Sequence, residues 1–141
     1  MAGDQNRHCE VTFTVPFHDL DPMQMVWHGN YLQYFDITRT TLFAQAGIDL
    51  FAYFKDNHRL FPITKTSTKH IVPLRYRDEF KCRAVVVEAQ YKIVMEFQIR
   101  LSETNRLCTR GRSEQVAVSY PEMEMLFEIP ADIRRALGFL S

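Results

Sequence analysis

The stretch HDLDPMQMVWHGNY, residues 18–31, gathers two aspartates, two histidines, a tryptophan and two methionines around one Asp-Pro turn. Asp21 precedes His28 by seven residues and Asn30 by nine. After Asn30 a helical period begins, so the stretch leads into a helix N-terminus. The unpaired N–H groups and positive dipole end of such a terminus suit an oxygen that gains negative charge. A carboxylate held beside them could activate water or attack a carbonyl, while the N–H groups polarise that carbonyl. Each residue also has a plainer use. Asp21 before proline can be a turn former, Asp19 a solvated or hydrogen-bonded loop residue, and His28 a partner of the helix start or of the loop backbone. Trp27 and Met25 can plug a core.

Other chemistries lack their residues. No G-x-S-x-G surrounds a serine, and no glycine spacing matches a phosphate-cradling or dinucleotide-binding loop. Cys9, Cys82 and Cys108 are isolated and odd in number, which argues for reduced thiols rather than a metal site or disulfide framework. No metal and no redox cofactor are implied. With 17 basic and 17 acidic residues the chain is formally neutral, which argues against bulk attraction to nucleic acid or an anionic membrane. No apolar run approaches the ~20 residues of a membrane span, and the polar start MAGDQNRHCE has no signal-like apolar core, so a cytoplasmic protein is expected.

The elements that must hold the loop can be read from periodicity. Val11, Phe13, Val15 and Phe17 alternate as the buried face of a strand, which Pro16 marks as an edge or bulged one. Tyr31, Tyr34, Phe35, Thr38, Leu42 and Ala46 trace one helical face, widened by Ile37 and Phe43. Asn30 is expected to cap this helix and Gly47 to end it. A short helix over IDLFAYFKDN follows, then extended LFPITKTSTKHIV, and a bend at Pro73 and YRDE. Two strands lie within FKCRAVVVEAQYKIVMEFQIRLS, turning near residues 89–92, and ETNR turns into a strand over CTRGRSEQVAVSY. IPADIRRALGFL closes as a short helix between Pro130 and Gly138. A chain of 141 residues with 46% hydrophobic content makes one domain, residues 1–141, with a real core. Its order predicts an α+β fold in which an antiparallel sheet curls around the long helix.

The segment FHDLDPMQMVWHGNYLQYFDITR, Phe17 to Arg39, resembles the signature of hot-dog-fold acyl thioesterases of the 4-hydroxybenzoyl-CoA thioesterase family. The resemblance runs through Tyr120 and implies a hot-dog fold, a long central helix wrapped by a curved antiparallel β-sheet. It also implies hydrolysis of an acyl thioester on coenzyme A or an acyl-carrier protein. Asp21 falls on the family's catalytic carboxylate and His28 on a second site position. Asn30 and Tyr31 match the family's substrate-binding neighbourhood too, and the resemblance implies that backbone N–H groups around Trp27 to Gly29 hold the developing oxyanion. The family implies a homodimer, extended in some members to a homotetramer.

Two departures stand out. The family usually has glycine after the aspartate, where this chain has PMQM, whose Met23 and Gln24 restrict φ. A basic run that looks like a nucleotide clamp in the hydroxybenzoyl enzyme is reduced here to Lys92, although RYR (75–77) and RGR (110–112) could compensate or be solvated strand charges. A 3′-phosphorylated nucleotide wants several Lys or Arg partners, whereas carrier-bound phosphopantetheine needs fewer. Two alternatives stay open: a hot-dog dehydratase using a histidine and a carboxylate across a dimer, and a non-catalytic protein that binds acyl thioesters.

Overall fold

The computed structural model describes residues 5–141; the first four residues of the polar N-terminal stretch lie outside the described residues. Strand β1 (His8–Thr14) and a 3-10 turn (Phe17–Asp19) lead to helix α1 (Asn30–Gln45) and helix α2 (Leu50–Asn57). Strands β2 (Arg59–Leu60), β3 (Ile63–His70), β4 (Glu79–Glu88), β5 (Ile93–Leu101), β6 (Leu107–Gln115) and β7 (Val118–Ser119) follow, and helix α3 (Ala131–Ala136) closes the chain. The main sheet is antiparallel with strand order β1-β4-β5-β6-β3, while β2 and β7 pair apart from it. Helix α1 lies on one face of this sheet, nearest β1 and β4. This is the expected hot-dog arrangement.

Alternation along the strands builds the interface with the helix. Phe80, Cys82 and Ala84 of β4, Met95, Phe97 and Ile99 of β5, and Gly111 and Ser113 of β6 turn inward. Phe35 of α1 stacks on Phe97 with ring centroids 4.5 Å apart. A Cβ at Gly111 would lie within 2.6 Å of the Phe35 ring, so only glycine lets the helix approach β6 this closely. Burying a side chain such as Phe35 contributes about 1.5–3 kcal/mol. The helix also buries Arg39, which the periodicity did not single out. Its guanidinium bonds Asp36 and donates to Ser113 Oγ at 3.0 Å, which offsets the cost of removing the charge from water.

Three local expectations are corrected. Phe17 leaves the buried face and stands 73% exposed, because β1 ends at Thr14 and a 3-10 turn opened by Pro16 begins at Phe17. Ile37 is exposed whereas Phe43 is buried, so the apolar arc widens on one side only. Asn30 is the first helical residue and does not cap, since Gly29 occupies the cap position and no side chain bonds the free N–H groups there. Gly47 does end the helix, at φ +80°.

Every residue of β3 is exposed, and β3 is an edge of the sheet. Its main-chain groups on the outer side are thus open to pairing.

Candidate active site

The loop before α1 is built from two turns pinned to the rest of the fold. At Asp21 the chain reverses sharply: Asp21 N–H donates to Met25 O (2.8 Å), and Gln24 N–H donates to Asp21 O (2.9 Å). Asp21 Oδ1 accepts from Met23 N–H (2.9 Å) and Met25 N–H (3.3 Å), so the carboxylate holds its own loop in place. The reversal needs one residue in the left-handed region, and Gln24 takes it at φ +62°. The PMQM departure therefore keeps a turn by placing the strain on a non-glycine residue. Val26 N–H donates to Leu74 O, and Met25 bridges to Arg75, which ties this turn to the segment between β3 and β4.

Asp19 anchors the other turn. It is buried, and its Oδ2 accepts from Tyr34 O–H at 2.6 Å. Its carbonyl accepts from Trp27 N–H (3.0 Å) and from Asn30 Nδ2 (2.9 Å). Burial, and then the Asp19 hydrogen bond and charge, push the Tyr34 phenol well above its ordinary value, so Tyr34 stays a donor. Asn30 is thereby a loop tie.

A cavity of about 340 Å³ opens between these turns and the end of β3. Asp21, His28 and Tyr31 all line it, joined by Met23, Met25, Val26, His70, Ile71 and Pro73. Tyr31 is buried and its phenol oxygen accepts from Leu74 N–H at 3.1 Å. Burial raises the Tyr31 pKa. The His70 ring meets Tyr31 edge-on at 4.6 Å. Partial desolvation, and then the neighbouring His28, hold His70 below the ordinary histidine value. Trp27 is half exposed and leans over the helix start, with its ring 5.3 Å from His28. A Cβ on Gly29 would fall inside the Trp27 indole, so Trp27 and Gly29 are fitted to each other.

Trp27 N–H is taken by Asp19, whereas the N–H groups of His28 and Gly29 have no acceptor among the described residues. Lys92 lies in the turn between β4 and β5, away from this cavity, and its Nζ pairs with Glu114 Oε1 at 3.0 Å. His70 escaped the sequence reading. A lone histidine in an extended run carries no signal, and only the pairing of His70 with Thr109 turns it to the inner face.

A two-layer hot-dog domain with a carboxylate and a histidine in one cavity at the start of its central helix defines the class. The chain belongs to the Thioesterase-like superfamily, whose family model matches residues 15–137 and whose general chemistry is hydrolysis of acyl thioesters. No curated protein matches it by sequence.

Several solved structures share the fold at low identity. A 1,4-dihydroxy-2-naphthoyl-CoA thioesterase from Synechocystis is 16% identical, with TM-score 0.83 over 92% of this chain and 95% of that one. A 4-hydroxybenzoyl-CoA thioesterase mutant complexed with 4-hydroxybenzoyl-CoA is 17% identical, with TM-score 0.84 over 93% and 99%. A 12:0-ACP thioesterase from Umbellularia californica is 14% identical, with TM-score 0.83 over 93% of this chain and 49% of that one. No helix among the described residues is long and apolar enough to cross a membrane.

Proposed function

We propose that this protein hydrolyses an acyl thioester of coenzyme A or of an acyl-carrier protein, with Asp21 as general base or nucleophile. One observation carries the reading: Asp21 and His28 line the same cavity, and the N–H groups of His28 and Gly29, at the start of α1, lack acceptors among the described residues. Those N–H groups are the donors for the oxyanion that forms when the thioester carbonyl is attacked. Met23 and Met25 N–H fix the Asp21 carboxylate through Oδ1, while Oδ2 has no hydrogen-bond partner among the described residues. Oδ2 is the oxygen that takes a proton from water or attacks the carbonyl carbon. His28 orients the thioester at the helix start. Trp27, Gly29 and Asn30 shape that start, and Tyr31 forms the cavity wall.

The solved relatives named above act on aromatic acyl-CoA or on a 12:0 acyl-carrier protein. The cavity lining of Met23, Met25, Val26, Ile71 and Tyr31 is apolar enough for either acyl type, and methionine adapts its shape to both. The dehydratase alternative has less support, because the matched superfamily's chemistry is hydrolytic.

The working form is a homodimer, with β3 pairing to β3 of a second copy across a two-fold axis. The support is an edge strand whose eight residues are all exposed. Lys92, remote from its own cavity, would then contact the carrier's phosphate from the second subunit.

Hydrolysis assays over short, long and aromatic acyl-CoAs and loaded carrier proteins, run on wild-type and Asp21→Asn protein, test the chemistry. Single-turnover hydrolysis in labelled water separates the two roles of Asp21, since only a nucleophile acquires solvent oxygen in its carboxylate. A stable monomer in sedimentation at micromolar concentration would overturn the assembly.

A further inference from the structure

Charge in this formally neutral chain is segregated. On the face of the main sheet turned away from α1, one row across the strands runs Arg83, Gln98, Arg110, Lys69, from β4 to β3. The neighbouring row adds Lys81 opposite Arg100. Lys69 and Arg110 stand directly opposite each other, an arrangement of like charges that destabilises a sheet.

The acidic residues on this face, Glu10, Glu79, Glu96 and Glu114, form no ion pair with Lys69, Lys81, Arg83 or Arg110. Glu96 pairs with Arg112 at 3.3 Å, and Glu114 pairs with Lys92 and Arg112. Glu10 is opposite Arg83 in the ladder but makes no ion pair with it. Among the described residues, Lys69, Lys81, Arg83 and Arg110 have no ion-pair partner. A shallow depression of about 540 Å³ lies over part of this face, lined in part by Lys69, Gln98, Arg110 and Arg112.

Taking the hydrolase reading of the active site as given, we infer that this basic sheet face docks an acidic carrier protein that delivers the acyl thioester. Strands are spaced about 4.8 Å apart, so the row from Arg83 to Lys69 spans roughly 14 Å. Lys69 and Arg110, directly opposite each other, can share one phosphate, but charges fanned over the full width from Arg83 to Lys69 outreach a single small anion. They match an extended acidic surface such as the side of a helix. Glutamates interleaved with the basic residues suit a protein better than the unbroken phosphate density of a nucleic acid. The face also shares β3 with the active site: Lys69 lies on the basic side, and the next residue, His70, lines the cavity. A carrier on this face can pass its flexible arm around the end of β3 to Asp21. The excess of positive charge further opposes back-to-back packing of two copies through this face.

The test compares an acidic carrier protein, loaded with the acyl group the enzyme hydrolyses best from coenzyme A, with the same acyl group on pantetheine. Combined Lys69→Glu, Lys81→Glu and Arg83→Glu should raise KM for the loaded carrier at least tenfold and leave kcat alone. It should also keep kcat/KM for acyl-pantetheine within twofold. The corresponding Lys69→Gln, Lys81→Gln and Arg83→Gln protein should show the same trend with a smaller change, which guards against misfolding of the reversal variant. Direct binding of the loaded carrier to Asp21→Asn protein, with and without the reversal, reads the docking without any hydrolysis; a tenfold rise in Kd is expected. An unchanged Kd overturns the inference. So does an equal loss on carrier and pantetheine substrates, or a reversal that alters only self-association or binding to DNA or anionic vesicles. Hydrolysis of acyl-CoA with no binding of the carrier would remove the docking surface and leave the hydrolase. Carrier binding with no hydrolysis of any thioester would do the opposite.

Discussion

At one end of the loop before α1, Asp19 is buried, its Oδ2 bound by Tyr34 and its carbonyl tied to Trp27 and Asn30. At the other end, two residues along, Asp21 is half-buried and lines the cavity with one oxygen held by its own turn. The residue type is the same and so is the loop. What separates them is which neighbours hold the carboxylate: the phenol of Tyr34, from within α1, at Asp19, and only nearby backbone N–H groups at Asp21. A carboxylate whose partners come from distant elements holds the fold. One whose partners are local, and which lines the cavity, is available for the chemistry proposed above.

The comparison breaks most directly at Asp21. Asp21→Asn keeps a carbonyl oxygen for the Met23 and Met25 N–H groups, so the turn should survive while the negative charge is lost. Turnover should fall by at least ~10²-fold, about 2.7 kcal/mol in the barrier. The melting temperature should stay within a few degrees of wild type. Near-wild-type hydrolysis by the folded variant would remove Asp21 from the reaction.

Asp19 should give the inverse result. Asp19→Ala leaves the buried Tyr34 hydroxyl without an acceptor and should lower stability by about 1–3 kcal/mol, read as a lower urea midpoint. Turnover per folded molecule should change only a few fold. If turnover collapsed while the urea midpoint held, the roles of the two aspartates would be exchanged.

How far these differences were legible in the sequence follows from their physical origin. The helix face, the hairpin near residues 89–92 and the terminal helix rest on local periodicity and turn residues, and the structure has them where expected. The roles of Phe17 and Asn30 are not written in local periodicity, because they depend on where the chain turns after Pro16 and on a bond to Asp19, eleven residues before Asn30. The position of Asp21 came from a motif. The buried state of Asp19 could not be read, since it needs Tyr34 to point back along the helix. His70 and the basic sheet face depend on register between strands distant in sequence. A net charge of zero hides such segregation.

His70 extends the comparison to the cavity wall. Its neutral form is favoured in the folded protein, by partial desolvation and then by His28. Above the ordinary histidine value of 6.5 both folded and unfolded chains leave it unprotonated, so it has no effect on stability there. As pH falls through that value the unfolded chain takes the proton first, and stability declines until the lower folded value is passed. His70→Gln should therefore flatten the fall in melting temperature between pH 7 and pH 5, and leave pH 8 stability nearly unchanged. An identical slope in both proteins would show that His70 titrates alike folded and unfolded.

The smallest effect concerns the turn that holds Asp21. Gln24 occupies the left-handed region at φ +62°, which costs a side-chain-bearing residue on the order of 1 kcal/mol. Gln24→Gly removes that strain but gives the unfolded chain more freedom, so the net gain should be about 0.5 kcal/mol. A slightly higher urea midpoint with an unchanged slope is the expected readout. Because Asp21 is fixed by the N–H groups of Met23 and Met25, and not by the Gln24 side chain, kcat should stay within twofold. A loss of kcat without a loss of stability would mean that the stiffness of a non-glycine residue at this position helps to aim the carboxylate. The local turn would then be part of what distinguishes Asp21 from Asp19.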